Sequence, residues 1–488
     1  MMLSRRSFFK AAGVSAGLGQ GSLASALVLS RRSFFRAAGL SAGLGRESLA
    51  SAANPAGPYT YAAVAGGFEI INGRGFYNRP IWGPHCRDLT ESWRLVAMAG
   101  DLPAVLLHTN RGRLKLGHLF LGLKGGRWFH EFDAIKARYV EGRQEYELAD
   151  PCASGPIRLV FVRPVDFSGL LVRVDLPAKQ RAELVVACGG ATVPNPPAHY
   201  NIRPPRLFEP GECEGSTVEL EANAFRTRRD PKWALLVTAA VPMHIVVADA
   251  ARFERGPAAL LASSGTKLPM AAALCATPAD GTIYLLLTTD DLALPEVRTC
   301  TSDLASAFDS AVRHYRDLSR TVEVHTPDPY LDATLAAQVL ALDASWHDPS
   351  MMHGTLSWHY PYAGWRGCYG VTVAGWHDRV QSHAAQFFKV QVKEPEYPPP
   401  RAEPPPFGEG PVCRGAIPGL LHHPSLFYNM GEVLLDMMFY DWLWTGDLDY
   451  MSRAFDFIAD KLIWQDRALD PDDDGLYENW LNAWNTDA

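Results

Sequence analysis

From about residue 58 to residue 300 the chain breaks into short apolar runs of strand length, and beyond Thr326-Pro327-Asp328-Pro329 its apolar residues recur at helical spacing. Periods of 2 and 3.6 put side chains on incompatible faces, so a chain that changes period once is neither a uniform sheet protein nor a uniform bundle. Expected strands include Arg94–Met98, Ala104–His108, Leu116–Leu123, Tyr146–Leu148, Ile157–Arg163, Leu170–Asp175, Leu184–Ala187, Ala234–Ala239, Ile245–Ala248 and Ile283–Thr288. Turn material such as Lys124-Gly125-Gly126 and Asp280-Gly281 separates them. Ten or more short strands at this spacing predict a large antiparallel β-sandwich. Residues 190–212, rich in Pro, Asn and Gly, read as a long loop.

Residues 303–319 switch to a helical period, Thr321–His325 looks like one more strand, and residues 326–329 form a hinge. In 329–347, Leu331, Leu335, Val339, Leu342 and Trp346 make one apolar stripe, as do Leu448, Met451, Phe455, Ile458 and Leu462 in 448–466. Helices around 370–391 and 425–444 are apolar on more than one face, as expected of helices buried among others. Between them, 395–411 holds eight prolines in 17 residues and reads as a surface loop or lid. The expected fold class is α+β, with an antiparallel sandwich over 58–300, a linker helix and hinge over 301–328, and a helical domain over 329–488.

With 47% hydrophobic and 20% charged residues in 488, the chain has the composition of a core-forming protein. It has no run of 18 apolar residues, so no integral membrane segment is expected. The net charge of -7 hides a split: residues 1–53 hold seven bases and one acid, leaving about -13 on the remainder. That disfavours nucleic acid as a partner. Residues 329–488 carry 22 acids against nine bases, which points to a neutral or cationic ligand there.

Residues 3–26 and 29–52 are nearly the same sequence, each with Ser-Arg-Arg, two phenylalanines and a small-residue end. Each copy resembles the twin-arginine export signal, so residues 1–52 are expected to be a targeting segment cleaved after Ala50-Ser51-Ala52, and the protein periplasmic or extracellular. The eight cysteines are scattered without a C-x-x-C pair and read mostly as small buried hydrophobes.

No phosphate loop, dinucleotide fingerprint, H-E-x-x-H or G-x-S-x-G is present, and Ser264–Lys267 matches S-x-x-K without any companion motif. Two segments concentrate usable chemistry. Residues His353–Arg379 pack Trp358, Trp365 and Trp376 among His359, Arg366, His377, Asp378 and Arg379. Aromatic planes beside charged hydrogen-bonding groups suit sugar rings, although tryptophans also fill helix seams. Residues Asp470–Trp484 read DPDDDGLYENWLNAW. Asp470, Asp472 and Asp474 mimic the start of a calcium loop, but Leu481 stands where the bidentate Glu belongs; the alternative is an acid-rich helix cap. No metal or cofactor is otherwise expected. Glu478 sits among Tyr477, Trp480 and Trp484, and desolvation by aromatic surface raises a carboxyl pKa, as a general acid requires.

The segments GWRGCYG, GWHDR, TGDLDY (Thr445–Tyr450) and DPDDDGLYEN, in this order behind a strand-rich half, resemble glycosidases of the six-hairpin superfamily. Within it, GRGFYNRPIWG (Gly73–Gly83) is similar to the N-terminal motif of an exported, largely uncharacterised bacterial family. The resemblance implies an N-terminal β-sandwich followed by an (α/α)6 toroid, and hydrolysis of a glycosidic bond by paired carboxylates. It implies Glu478 as the general acid with Asp378 as the rival, in a pocket lined by Trp358, His359, Trp376, His377, Arg379 and Trp480. About four helices follow residue 329 where such a toroid needs twelve, so a partial toroid and a C-terminally truncated chain are expected. The alternatives are a carbohydrate-binding protein without catalysis, and a lyase or phosphorylase on the same scaffold.

Overall fold

The strand-length runs do form strands. They are β1 (Thr60–Val64), β2 (Gly67–Ile71), β3 (Arg79–Ile81), β4 (Leu95–Ala99), β5 (Ala104–Thr109) and β6 (Lys115–Leu123). Then come β7 (Ala134–Val140), β8 (Arg143–Ala149), β9 (Ile157–Val162), β10 (Gly169–Asp175) and β11 (Leu184–Gly189). After these the chain forms β12 (Thr217–Leu220), β13 (Ala224–Asp230), β14 (Trp233–Ala239), β15 (Met243–Asp249), β16 (Pro269–Cys275) and β17 (Thr282–Thr288). The computed structural model describes residues 59–85, 95–109, 115–177, 183–192, 208–230, 233–265, 267–289, 294–353, 361–393, 414–415, 417, 430–470 and 473–476. They belong to one unit spanning Pro55–Ala488.

Ten strands pair in the order β1-β2-β7-β8-β9-β10-β17-β14-β13-β12, and seven in the order β15-β16-β11-β6-β5-β4-β3. Neighbouring strands run antiparallel, as in β10 against β17, where Val172 faces Leu285. The inner faces of both sheets share one core: Leu170, Val172 and Val174 of β10 meet Leu184, Val186 and Cys188 of β11 there. Part of each outer face is covered as well. Val185 and Ala187 pack with Trp128, Phe208 and Phe253, while Leu171 packs under a helix through Phe308, Ala311 and Tyr315. Burial on both faces explains why strands such as β11 read as continuous apolar runs rather than alternating ones.

The Gly73–Gly83 motif is built into the sandwich. The Gly75 amide donates to Asp101 Oδ2 at 2.9 Å, and Arg79 pairs with the other oxygen of the same carboxylate. Tyr77, at φ +51°, turns its ring inward, and its hydroxyl lies 2.8 Å from His118 Nδ1. The chain leaves this knot through β3 and carries His85 toward the helices.

The helices are α1 (Pro295–Ser302), α2 (Leu304–Ser319), α3 (Pro329–Ala344), α4 (Gly367–Val373), α5 (His377–Val390), α6 (Met430–Thr445) and α7 (Leu448–Leu469). The mixed architecture expected from the sequence, antiparallel sheets followed by packed helices, is the one observed. Pro329 occupies the first turn of α3 behind the cap Asp328, whose carboxylate accepts from the Tyr330 amide at 3.0 Å. The TGDLDY motif is the joint between α6 and α7: Gly446 adopts φ +66° and Asp447 accepts from the Tyr450 amide at 2.8 Å.

Three local expectations change. Thr321–His325 forms no strand and leads straight to the α3 cap. In α3 the buried residues are Ala333, Val339, Leu340, Asp343 and Ala344, while Leu331 is exposed, because this helix is wedged between β1, β2 and α2 on one side and α4 on the other. In α7 Leu448 and Phe455 are exposed, while Ile458 is buried as expected, with Met451 and Leu462 packed beside it. The buried face also holds Tyr450, Ala454, Phe457, Lys461, Trp464 and Gln465. Lys461 lies inside because Glu432 of α6 approaches its ammonium to 3.7 Å and the Trp464 ring to 4.2 Å. A hydrophobicity stripe cannot anticipate a buried lysine with partners on another helix.

Candidate functional site at the start of helix α5

The GWHDR segment is where the structure brings several of the expected polar side chains against buried carboxylates. Gly375, at φ +76°, ends α4: its amide reaches the Thr372 carbonyl at 2.9 Å, and the Trp376 amide reaches that of Val371 at 3.1 Å. A Cβ at 375 would meet nothing within 4 Å, so the left-handed backbone, not space, asks for glycine. Helix α5 begins two residues later, and its first side chains fan out by about 100° per residue.

Arg379 turns toward α3. Its Nη2 donates to Asp343 Oδ1 at 2.9 Å, and its guanidinium carbon lies 4.4 Å from the Trp376 ring centre and 5.6 Å from that of Trp346. A guanidinium over indole faces gains cation–π attraction while the carboxylate holds its edge. Asp343 is only 3% exposed, and its Oδ1 is also 3.2 Å from His85 Nδ1, brought by the segment after β3. Burial pushes the Asp343 carboxyl up, but the His85 hydrogen bond and charge together with Arg379 outweigh it and hold the group below its ordinary value. His314 of α2 faces the same group: burial lowers its pKa, Asp343 opposes that, and His85 adds to it.

His377 turns the other way, toward α6. Its Nδ1 lies 2.7 Å from Asp441 Oδ1, which also accepts from the Thr372 hydroxyl at 3.0 Å. Asp441 is fully buried, whereas the His377 side chain is 30% exposed. Between the two anchored residues Asp378 stays exposed in the first turn of α5, where a negative charge complements the helix N-terminus.

Of the expected site residues, Trp376, His377 and Arg379 are therefore brought together, with Asp378 on the exposed side of the same turn. Glu478, Trp358, His359 and Trp480 lie outside the described residues. The Asp470 carboxylate accepts from the amides of Asp474 and Gly475, both at 3.0 Å, and Asp474 accepts from the Leu476 amide at 2.7 Å, so these two acids cap a turn. Asp472 lies outside the described residues, among which no group of three or more His, Cys, Asp or Glu could hold a metal ion. Of the described cysteines, Cys188, Cys213, Cys275, Cys300 and Cys368 are buried and Cys152 is half-buried against the sandwich core. The twin-arginine segment is also outside the described residues, and among these no helix is long and apolar enough to cross a membrane.

The anchoring residues Asp343, Asp441 and His85 were not singled out from the sequence. A usable signal existed for the two acids: Asp343 and Asp441 are lone carboxylates in the apolar C-terminal halves of α3 and α6, a placement that requires a partner. His85 carried no such signal, because its partner is 258 residues away.

No family model matches this sequence, and no curated protein matches it either. Solved structures do resemble it at low similarity. A bacterial glucoamylase in complex with acarbose matches over 83% of this chain and 61% of its own, at 10% identity and a TM-score of 0.43. A GH92 glycosyl hydrolase matches over 63% of this chain and 47% of its own, at 13% identity and a TM-score of 0.36. A GH92 inverting mannosidase from Bacteroides thetaiotaomicron matches over 60% of this chain and 37% of its own, at 11% identity and a TM-score of 0.28. The chain spans less than two thirds of the length of each.

Proposed function

We propose that this chain is an exported glycoside hydrolase of the six-hairpin superfamily that cleaves a polysaccharide or oligosaccharide by carboxylate general acid–base catalysis. The observation that carries this reading is the α5 turn, where consecutive residues are an indole that supports a guanidinium, an imidazole held by a buried carboxylate, and an exposed carboxylate, Asp378. An aromatic face covers the C–H surface of a sugar ring, and fixed polar side chains grip its hydroxyls without paying further rotamer entropy. The acidic balance of residues 329–488 favours a neutral sugar over a uronate. In this reading 58–300 is the β-sandwich domain, 301–328 the linker, and 329–488 part of a helical toroid whose pocket is lined by Trp358, His359, Trp376, His377, Arg379 and Trp480.

In this reading Glu478 is the general acid that delivers a proton to the leaving oxygen, a role that its aromatic sequence neighbours Tyr477, Trp480 and Trp484 support because apolar surroundings raise a carboxyl pKa. Asp378 is the rival for that role. Comparing Glu478→Gln with Asp378→Asn separates them: Glu478→Gln is expected to lower sugar release by at least about 10³-fold with an unchanged circular dichroism spectrum. Turnover retained in Glu478→Gln but lost in Asp378→Asn would transfer the role to Asp378. Binding of saccharide without any release by the unaltered protein would instead make this a carbohydrate-binding protein.

A further inference from the structure

We propose that Asp441 is a positioning residue that fixes His377 as its Nδ1–H tautomer, so that ring Nε2 offers a lone pair to a neutral hydroxyl of the kind a saccharide carries. The proposal rests on the carbohydrate reading above and assigns a specific atom to it.

The geometry sets the tautomer without appeal to the ligand. Asp441 Oδ1 already accepts from the Thr372 hydroxyl at 3.0 Å and so carries no proton of its own, which makes His377 Nδ1, 2.7 Å from the same oxygen, the donor. A neutral imidazole with its proton on Nδ1 has an unprotonated Nε2. The carboxylate cannot swing away to release the ring. It is fully buried on α6, and the Thr372 hydroxyl of α4 holds the same oxygen at 3.0 Å. Burial first and the Asp441 charge second push the Cys368 thiol up to about 12 and the Tyr450 phenol upward. The ring itself is 30% exposed, and its only hydrogen bond among the described residues is the one to Asp441. In sequence it stands between Trp376, whose ring carries the Arg379 guanidinium, and the exposed Asp378. A histidine that only ties α5 to its neighbours can be fully covered, as His383 of the same helix is. That ring is buried, accepts the Met351 amide at Nδ1 (3.2 Å) and faces the Tyr362 carbonyl with Nε2 (3.1 Å).

The test uses the intact chain labelled with ¹⁵N-histidine, with cello-, malto-, xylo- and mannohexaose as probes. In the unaltered protein the His377 ring is expected to show the Nδ1–H pattern, and its Nε2 resonance to move when a bound hexaose donates to it. Asp441→Leu and His377→Ala are each expected to raise the Kd for that hexaose about tenfold, or about 1.4 kcal/mol. The double variant should be no worse than either single one, since both remove the same hydrogen bond. Near-UV circular dichroism checks that Asp441→Leu is folded, and the tautomer measured in the unaltered protein decides the matter if it is not. An Nε2–H pattern there, or a Kd in folded Asp441→Leu within twofold of the unaltered protein, would overturn the proposal while leaving the carbohydrate reading intact. If none of the four hexaoses binds and none is cleaved, both the hydroxyl assignment and the carbohydrate reading fail.

Discussion

Acidification from pH 7 to pH 4 is expected to unfold this protein, because four histidines, His118 and His383 buried and His108 and His130 half-buried, are held in the neutral form. Burial lowers the pKa of His108 and His130 to about 3 and of His118 and His383 to about 4. For His108 the nearby Lys115 and His118 lower it further, with Glu212 opposing; for His118 the Glu212 hydrogen bond opposes burial and Lys115 reinforces it. His130 is packed among Phe76, Phe120 and Phe253 with burial as its only cause. In the unfolded chain all four titrate near 6.5. Below that value the unfolded state binds more protons than the folded one, so stability falls as pH falls and is fully present only above about pH 6.5. Each group contributes about 1.4 kcal/mol per pH unit in the window from about 6.5 down to its folded pKa. Four together give a slope on the order of 5 kcal/mol per pH unit, set against a total stability of about 5–15 kcal/mol. Urea melts at pH 7, 6 and 5 measure this slope directly. His130→Phe should reduce it by about one proton, and stability unchanged between pH 7 and 5 would show that these rings are not buried neutral.

The second large effect is at the Arg379–Asp343 pair. Arg379→Ala leaves the Asp343 carboxylate buried, with the partly exposed His85 as its remaining side-chain hydrogen-bond partner among the described residues. Removing one member of a buried pair costs about 3–5 kcal/mol, because the charge left behind is uncompensated. Replacing both members by apolar residues of similar size removes the charge as well as its partner. The double variant Arg379→Met with Asp343→Leu should therefore recover most of the loss, a coupling that simple addition of the single effects would miss. Thermal melts of the three variants check this. Arg379→Ala within about 1 kcal/mol of the unaltered protein would mean that His85 or solvent already compensates Asp343.

The fold was legible from the sequence wherever local pattern decides it. Ile157–Val162 and Gly169–Asp175 are β-branched and apolar and bounded by turn residues, and both were expected within a residue of their observed ends. The strand Pro269–Cys275 was not expected, because Met-Ala-Ala-Ala-Leu has little intrinsic strand preference and pairs only once Met243–Asp249 and Leu184–Gly189 flank it. Ala224–Asp230 escaped for a related reason: its Arg226 and Arg228 look like loop residues, yet they pair with Glu221 and Glu219. At the candidate site the order Trp376-His377-Asp378-Arg379 was visible as chemistry. The partners that give it geometry, Asp343, Asp441 and His85, come from three other segments, and no periodicity within one segment encodes them.

The most direct test of the central claim is the appearance of new reducing ends when the purified chain, as its native host makes it, is incubated with neutral plant and microbial polysaccharides. Release from at least one of them by the unaltered protein, abolished in Glu478→Gln and with both proteins equally folded by circular dichroism, is the outcome expected of a glycoside hydrolase. No release from any of them by the folded, unaltered protein, or release undiminished in both Glu478→Gln and Asp378→Asn, would contradict it.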